Sequence, residues 1–329
     1  MGEMKMGFWL AGLDEAGYGP KLGPMVIAMA TLRSEDPIEA TAPWSLLAPT
    51  VGAGGRGSKG MPVADSKRLH RSGTGDLSRL EEAVLAFVAV ERGKIPSTFR
   101  ELLDHLTAGR SGYLSEYPWY QDGDIALPTS LDALALSGAV RRLERTLDHA
   151  RLAVAEVRAI PLEVIEFNSR VAEKGSKGIV DAWAMGRFLK WLWLQTDRDV
   201  IEAWTDRLGG RERYGPLLYP LFKGAKFDVI EQQREKQIYR ATSKDGKRRL
   251  TVRFQKDGEQ RCFTTALASM TAKYLRELHM KLLNRWWQEH LPELRPTAGY
   301  PQDAPRFIAE VESKRLSLGI PAEVLIRQR

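Results

Sequence analysis

Asp14 and Glu15 stand side by side at the end of an apolar run, residues 7–13, and Ala16-Gly17-Tyr18-Gly19-Pro20 follows at once. Two adjacent carboxylates closing a buried strand are electrostatically expensive unless a cation neutralises them. Glycines beside them let a ligand approach the backbone closely. Read alone, the pair is equally well a turn with two solvated acids. Asp206 ends a second short apolar run, and Asp257 and Glu259 follow a third. Hard divalent cations prefer oxygen ligands, and phosphodiester hydrolysis by two such ions needs a cluster of carboxylates.

These acids can meet only if the elements carrying them converge. Residues 7–13 and 24–32 are compact apolar runs joined by a segment dense in Gly and Pro, which predicts two adjacent strands with a sharp connection. Residues 33–62 read as a mobile loop containing Gly52, Gly54, Gly55, Gly57 and Gly60, and lead into Asp65-Ser66-Lys67. Helical spacing of apolar residues predicts helices over 77–92 and 131–153, packed on a sheet. Between them, 93–130 has aromatics, Pro and Gly without a period and is taken as an insertion of unknown shape. Residues 181–194 predict a further helix whose Trp183, Trp191 and Trp193 belong to the core. Residues 200–204 form a strand that runs into Asp206 and is soon terminated by Gly209-Gly210.

The Lys244-Asp245-Gly246 turn, flanked by alternating residues at 237–243 and 247–254, predicts a hairpin whose second strand delivers Glu259. Residues 263–290 predict a long helix with Leu267, Met270, Tyr274 and Leu278 on its apolar side. Ser269 and Lys273 are four apart, so they share its polar face, where a hydroxyl and an ammonium suit a backbone phosphate.

The segment 13–26, LDEAGYGPKLGPMV, resembles the first motif of the type 2 ribonuclease H family, commonly DEAGRGP followed by GP and a hydrophobic strand. Further pieces occur in the family's order. ADSKRL at 64–69 is similar to its DSKKL segment, and Asp206 to its third carboxylate. ASMTAK at 268–273 resembles its ASILAK helix, and GYPQD at 299–303 its GYPSD turn. The intervening stretches carry no such likeness.

The resemblance implies an α/β, ribonuclease H-like fold: a mixed five-stranded sheet flanked by helices, with an insertion and a C-terminal helical extension. A catalytic domain is expected over residues 1–285, with its insertion at about 93–130. Residues 286–329 are expected to carry the GYPQD turn and pack on that domain. The resemblance further implies hydrolysis of the RNA strand of RNA/DNA hybrids, extending to single ribonucleotides in duplex DNA, and leaving 3′-hydroxyl and 5′-phosphate ends. Mg²⁺ or Mn²⁺, two ions, would be held by Asp14, Glu15, Asp206 and Glu259. Glu259 lies nine residues before Ala268, the family's spacing for the fourth carboxylate, and Asp257 is its rival. Substrate contacts are implied for Gly17, Tyr18, Gly19, Ser66, Lys67, Ser269 and Lys273, with Tyr300 packing on the sugar. Tyr18 stands where the family has Arg, which removes one charge-assisted contact.

Composition agrees with a polyanionic partner without requiring one: Lys+Arg exceed Asp+Glu for a formal charge of +7. The single cysteine forms no internal disulfide, no Cys/His spacing suits zinc, and no stretch is apolar enough to span a membrane. The apolar run near the start is too short for a signal-peptide core, so a cytoplasmic protein without an obligate protein partner is expected. Two other readings stay open: a nuclease of the same fold acting on structured DNA, and a non-catalytic nucleic-acid-binding protein. A basic strip, Lys244, Lys247, Arg248, Arg249, Arg253 and Lys256, would track a nucleic-acid backbone or simply be a solvated edge.

Overall fold

In the computed structural model, which describes residues 6–54, 59–70, 76–195, 198–208, 211 and 213–328, the apolar runs assemble into one mixed sheet. Its strands are β1 (Phe8–Ala16), β2 (Met25–Ser34), β3 (Ala153–Leu162), β4 (Val200–Thr205), β5 (Lys226–Gln232), β6 (Lys236–Thr242) and β7 (Arg249–Gln255). They lie in the order β3-β2-β1-β4-β7-β6-β5. β1, β4 and β7 form a parallel trio at the centre, and the flanking strands pair antiparallel. β2 is buried on both faces over its first eight residues, consistent with its near-continuous apolar sequence.

The helices are α1 (Ser78–Arg92), α2 (Phe99–Thr107), α3 (Ala133–Ala150), α4 (Val164–Lys174), α5 (Lys177–Leu194), α6 (Phe263–His290) and α7 (Ala304–Ser317), with one-turn pieces between. One sheet face is covered by α6 with α1, α2 and α3, and the other by α4, α5 and the Tyr214–Phe222 region. α6 is buried nearly all round through its first turns, so it is a central helix, as its apolar and small residues dictate. It approaches β1 closely at Gly12, where a Cβ would lie 2.0 Å from the Thr265 nitrogen and 2.1 Å from the Thr264 carbonyl carbon. Glycine at this position lets the start of α6 rest on the strand that carries Asp14 and Glu15.

The sheet has seven strands where five were expected. The helix expected to reach residue 153 is shorter: α3 stops at Ala150, Arg151, at φ 54°, turns the chain, and β3 begins at Ala153. β5 is an edge strand, mostly exposed, so it has little of the apolar alternation that marks a strand in sequence. The region 93–130 is helical: α2 and two short turns bring Phe99, Leu103, Tyr117, Trp119 and Tyr120 into the core beside α6. The loop at 33–62 contains a five-residue helix, Ala42–Leu46, and a two-residue strand pair, Val51–Gly52 with Met61–Pro62. Gly55 and Gly57 in that loop, and Gly209-Gly210 after β4, lie outside the described residues. α6 runs through residue 285 to His290, so the expected domain boundary falls inside a helix. Among the described residues no helix is long and apolar enough to cross a membrane.

Candidate metal centre

The parallel register determines where the acids meet. Leu13 pairs with Thr205, so Asp14, still within β1, and Asp206, the first residue after β4, follow side by side at the same end of the sheet. Thr205 pairs in turn with Phe254 on β7, and the chain leaving β7 forms a one-turn helix, Gly258–Arg261. A Cβ on Gly258 would lie 3.2 Å from the Asp206 nitrogen, so this turn rests on the Asp206 backbone. Glu259 is therefore carried by a helical turn rather than by the hairpin strand itself. It is 6% exposed, whereas Asp257, at φ 59° before that turn, is exposed to solvent.

Asp14 is 6% exposed and Glu15 half-buried. Burial, then the charges of Glu15 and Glu259, push the Asp14 carboxyl well above its ordinary range. Glu15 is pushed up to about 8, first by burial and then by Asp181 and Asp206, with Lys67 pulling the other way. Asp206 and Glu259 are raised as well, chiefly by burial. Desolvation and like-charge repulsion thus act together on one group of acids, the situation a bound cation relieves.

One member was missed in the sequence. Asp181, in the second turn of α5, is 2% exposed and is pushed up to about 7 by burial and by Asp14. The only signal available was the one acidic residue of a helix rich in bulky apolar side chains.

Lys67 supplies the nearby positive charge. Asp65 caps the one-turn helix Ser66–Leu69 by accepting from the Lys67 backbone N–H at 2.9 Å. Burial works against the Lys67 ammonium, but Glu259, Asp14, Asp65 and Glu15 outweigh it and raise its value.

Other expected contact residues serve the interior of the fold. The Ser66 and Ser269 hydroxyls are 3.0 Å apart and both buried, and Ser269 also hydrogen-bonds to Asp14. Lys273 is buried and pairs with Glu277 at 2.7 Å. The face of α6 that holds Ser269 and Lys273 is thus packed against protein rather than presented as an open polar face. The half-buried Tyr300 ring has Lys273 and Arg276 each 5.9 Å from its centroid.

In the motif turn, Gly17 has φ 86° and a Cβ there would lie 2.6 Å from the Pro24 oxygen, so the chain's own backbone demands this glycine. Gly19 has open space around its Cβ position. Tyr18 lies against the start of α5, with the Lys177 ammonium 4.5 Å from its ring centroid. From the C-terminal end, the Arg327 guanidinium donates to the Gly17 and Tyr18 carbonyls at 2.7 and 3.2 Å. The tryptophans of α5 divide: Trp193 is buried, while Trp183 and Trp191 are half-buried and line a cavity of about 350 Å³ with Arg187. In the basic strip, Arg248 donates to the Trp193 carbonyl at 2.7 Å and Arg253 pairs with Glu202 at 3.1 Å. Lys244, Lys247, Arg249 and Lys256 are exposed.

The donor set suits a hard cation: all carboxyl oxygens, buried or half-buried, and with the Asp181 Oδ1 buried without a hydrogen-bond partner. Among the described residues, however, no group of three or more His, Cys, Asp or Glu side chains is already arranged to hold a metal ion. An ion would have to draw the carboxylates together.

No family model matches the chain, and no curated protein matches it. Solved structures do. The ribonuclease HII in its PCNA complex from Archaeoglobus fulgidus is 15% identical, with 97% of this chain and 94% of that one covered and a TM-score of 0.40. Ribonuclease H2 from Pyrococcus horikoshii OT3 is 14% identical, with 96% and 92% covered and a TM-score of 0.42. Bst-RNase HIII in complex with Mn²⁺ is 15% identical, with 98% and 66% covered and a TM-score of 0.37.

Proposed function

We propose that the chain is a divergent type 2 ribonuclease H, a divalent-metal-dependent endonuclease that hydrolyses the RNA strand of RNA/DNA hybrids and acts on single ribonucleotides in duplex DNA. The observation that carries this reading is the convergence of Asp14, Glu15, Asp206 and Glu259. The Asp14–Glu15 pair, Asp206 and Glu259 are far apart in sequence, yet strand register brings them to one end of the sheet, where burial raises every one and like charges, within the group or from Asp257, Asp181 and Asp65 beside it, add to that. Together with the ordered motifs, it supports a group built to hold cations.

Asp14, Glu15, Asp206 and Glu259 would hold Mg²⁺ or Mn²⁺, which when bound supplies Lewis acidity and a lowered pKa for water. Ser269 orients the Asp14 carboxylate through its hydrogen bond, with Ser66 behind it. Lys67, exposed at the rim, is able to reach a phosphate, whereas Ser66 is buried. The open surface at Gly19 and the Tyr300 ring take the sugar side of the duplex, and the exposed lysines of the β6–β7 hairpin take its backbone.

A second reading, a non-catalytic nucleic-acid-binding protein, is favoured by the absence, among the described residues, of three ligands already arranged for a metal. One experiment separates the two. The purified protein is incubated with Mg²⁺, Mn²⁺ or EDTA on an RNA/DNA hybrid, on DNA with one embedded ribonucleotide, and on plain DNA, beside Asp14→Asn. Metal-dependent cleavage of the first two, lost in Asp14→Asn while hybrid binding is retained, is the expected result. Hybrid binding without cleavage under any metal supports the second reading, and cutting of plain DNA moves the substrate.

A further inference from the structure

Asp181 belongs to none of the sequence motifs, yet the placement of α5 brings it to the carboxylates. Side chains three and four residues apart share a helix face. On α5, Gly178 lies against Tyr18, a Cβ there being 3.5 Å from the Tyr18 hydroxyl. Met185, one turn past Asp181, accepts a hydrogen bond from the Thr205 hydroxyl at 3.2 Å through its sulfur. Asp181 lies between these two contacts on the same face. It is held between the turn that follows Glu15 and the end of the strand that delivers Asp206.

One oxygen of this carboxylate is left unsatisfied: Asp181 is 2% exposed, and its Oδ1 has no hydrogen-bond partner. An apolar residue of similar size would avoid leaving a buried acceptor unsatisfied. The effects on its neighbours agree with this placement. After burial, Asp181 is the first cause that raises Glu15, and Asp14 is the charge that raises Asp181.

We propose that Asp181 is a fifth carboxylate of the metal centre, presenting its unpartnered Oδ1 to the same divalent cation that Asp14 and Glu15 hold. This rests on the metal-dependent reading above and deepens it. An acid supplied by α5 links ion binding to the packing of that helix against Tyr18, at the position where the motif departs from Arg.

The test uses Mn²⁺ alone, with no nucleic acid. Its affinity is measured by calorimetry and by electron paramagnetic resonance of the free ion, on the wild type, Asp181→Asn, Asp181→Glu and Asp14→Asn, with melting of each in EDTA as the folding control. Asp181→Asn is expected to melt no lower than wild type in EDTA, because it loses a buried like charge, and to bind Mn²⁺ about 10–100-fold more weakly. Asp181→Glu, which keeps a carboxylate, is expected to retain more affinity than Asp181→Asn. If Asp181→Asn fails to fold, Asp181→Ser is expected to show the same loss. Wild-type Mn²⁺ affinity in folded Asp181→Asn or Asp181→Ser, with Asp14→Asn impaired, overturns the role of Asp181 alone. Absence of Mn²⁺ binding by the wild type overturns the metal-dependent reading and this inference with it.

Discussion

Glu15→Gln in the metal-free protein puts the electrostatics of the acid group to a quantitative test. The folded-state carboxyl of Glu15 titrates at about 8 against an ordinary 4.5. Between those values the folded chain keeps a proton that the unfolded chain has released, so stability falls as pH rises through the window and is level on either side of it. At pH 7 the wild type is about 2.5 pH units into the window, and at about 1.4 kcal/mol per unit the penalty is roughly 3 kcal/mol. Glutamine has the same shape and never ionises, so the variant should be more stable than the wild type by up to about 3 kcal/mol at pH 7. That advantage should vanish near pH 4. The assay is urea unfolding in EDTA across pH 4–8.5, repeated with Mg²⁺ and Mn²⁺. Divalent ions should stabilise the wild type at the alkaline end, through linkage, and do so less for Glu15→Gln. A variant less stable than the wild type at pH 7 in EDTA, or a difference that does not change with pH, refutes the account of a buried, mutually repelling group.

Three further outcomes test the framework around the site. Gly12→Ala places a methyl group against the Thr264–Thr265 backbone and should destabilise the protein by about 3 kcal/mol or more, read as a lowered urea midpoint with weakened Mn²⁺ stabilisation. Glu81, fully buried, accepts from the Thr129 and Ser130 backbone N–H groups at 2.6 and 2.7 Å and from the Tyr274 hydroxyl at 2.7 Å, so Glu81→Ala orphans three donors. It should lose about 3 kcal/mol or more, and an unchanged midpoint would count against that network. Arg327→Ala removes the donors to the Gly17 and Tyr18 carbonyls and should cost about 1–3 kcal/mol, with faster hydrogen exchange in residues 17–23.

Much of the centre of the fold was legible because it is locally periodic. The apolar runs of β1 and β2, the Asp-Gly turn between β6 and β7, the short β4 ahead of Asp206 and the full length of α6 each carry their signal within a few turns of chain. Side-chain identity also pointed to the chemistry, since acids closing apolar strands are unusual unless something neutralises them. The edge strands were less legible: β3 follows a helix with only a two-residue break, and β5 is too exposed to alternate.

The sequence by itself determined which acids were available, at the ends of which runs, and which helix would carry Ser269 and Lys273. Only the tertiary structure decided which of them meet. The Leu13–Thr205 register aligns Asp14 with Asp206 across more than half the chain. The turn after β7 buries Glu259 and leaves Asp257 in water, and the packing of α5 brings in Asp181, which no motif marked. Packing around α6, on the other face of the sheet, withdrew Ser66, Ser269 and Lys273 from the surface. The physical reason is one of range: periodicity reports a residue's neighbours along its own element, whereas burial and charge coupling depend on neighbours from other elements, whose positions follow from strand register and helix packing.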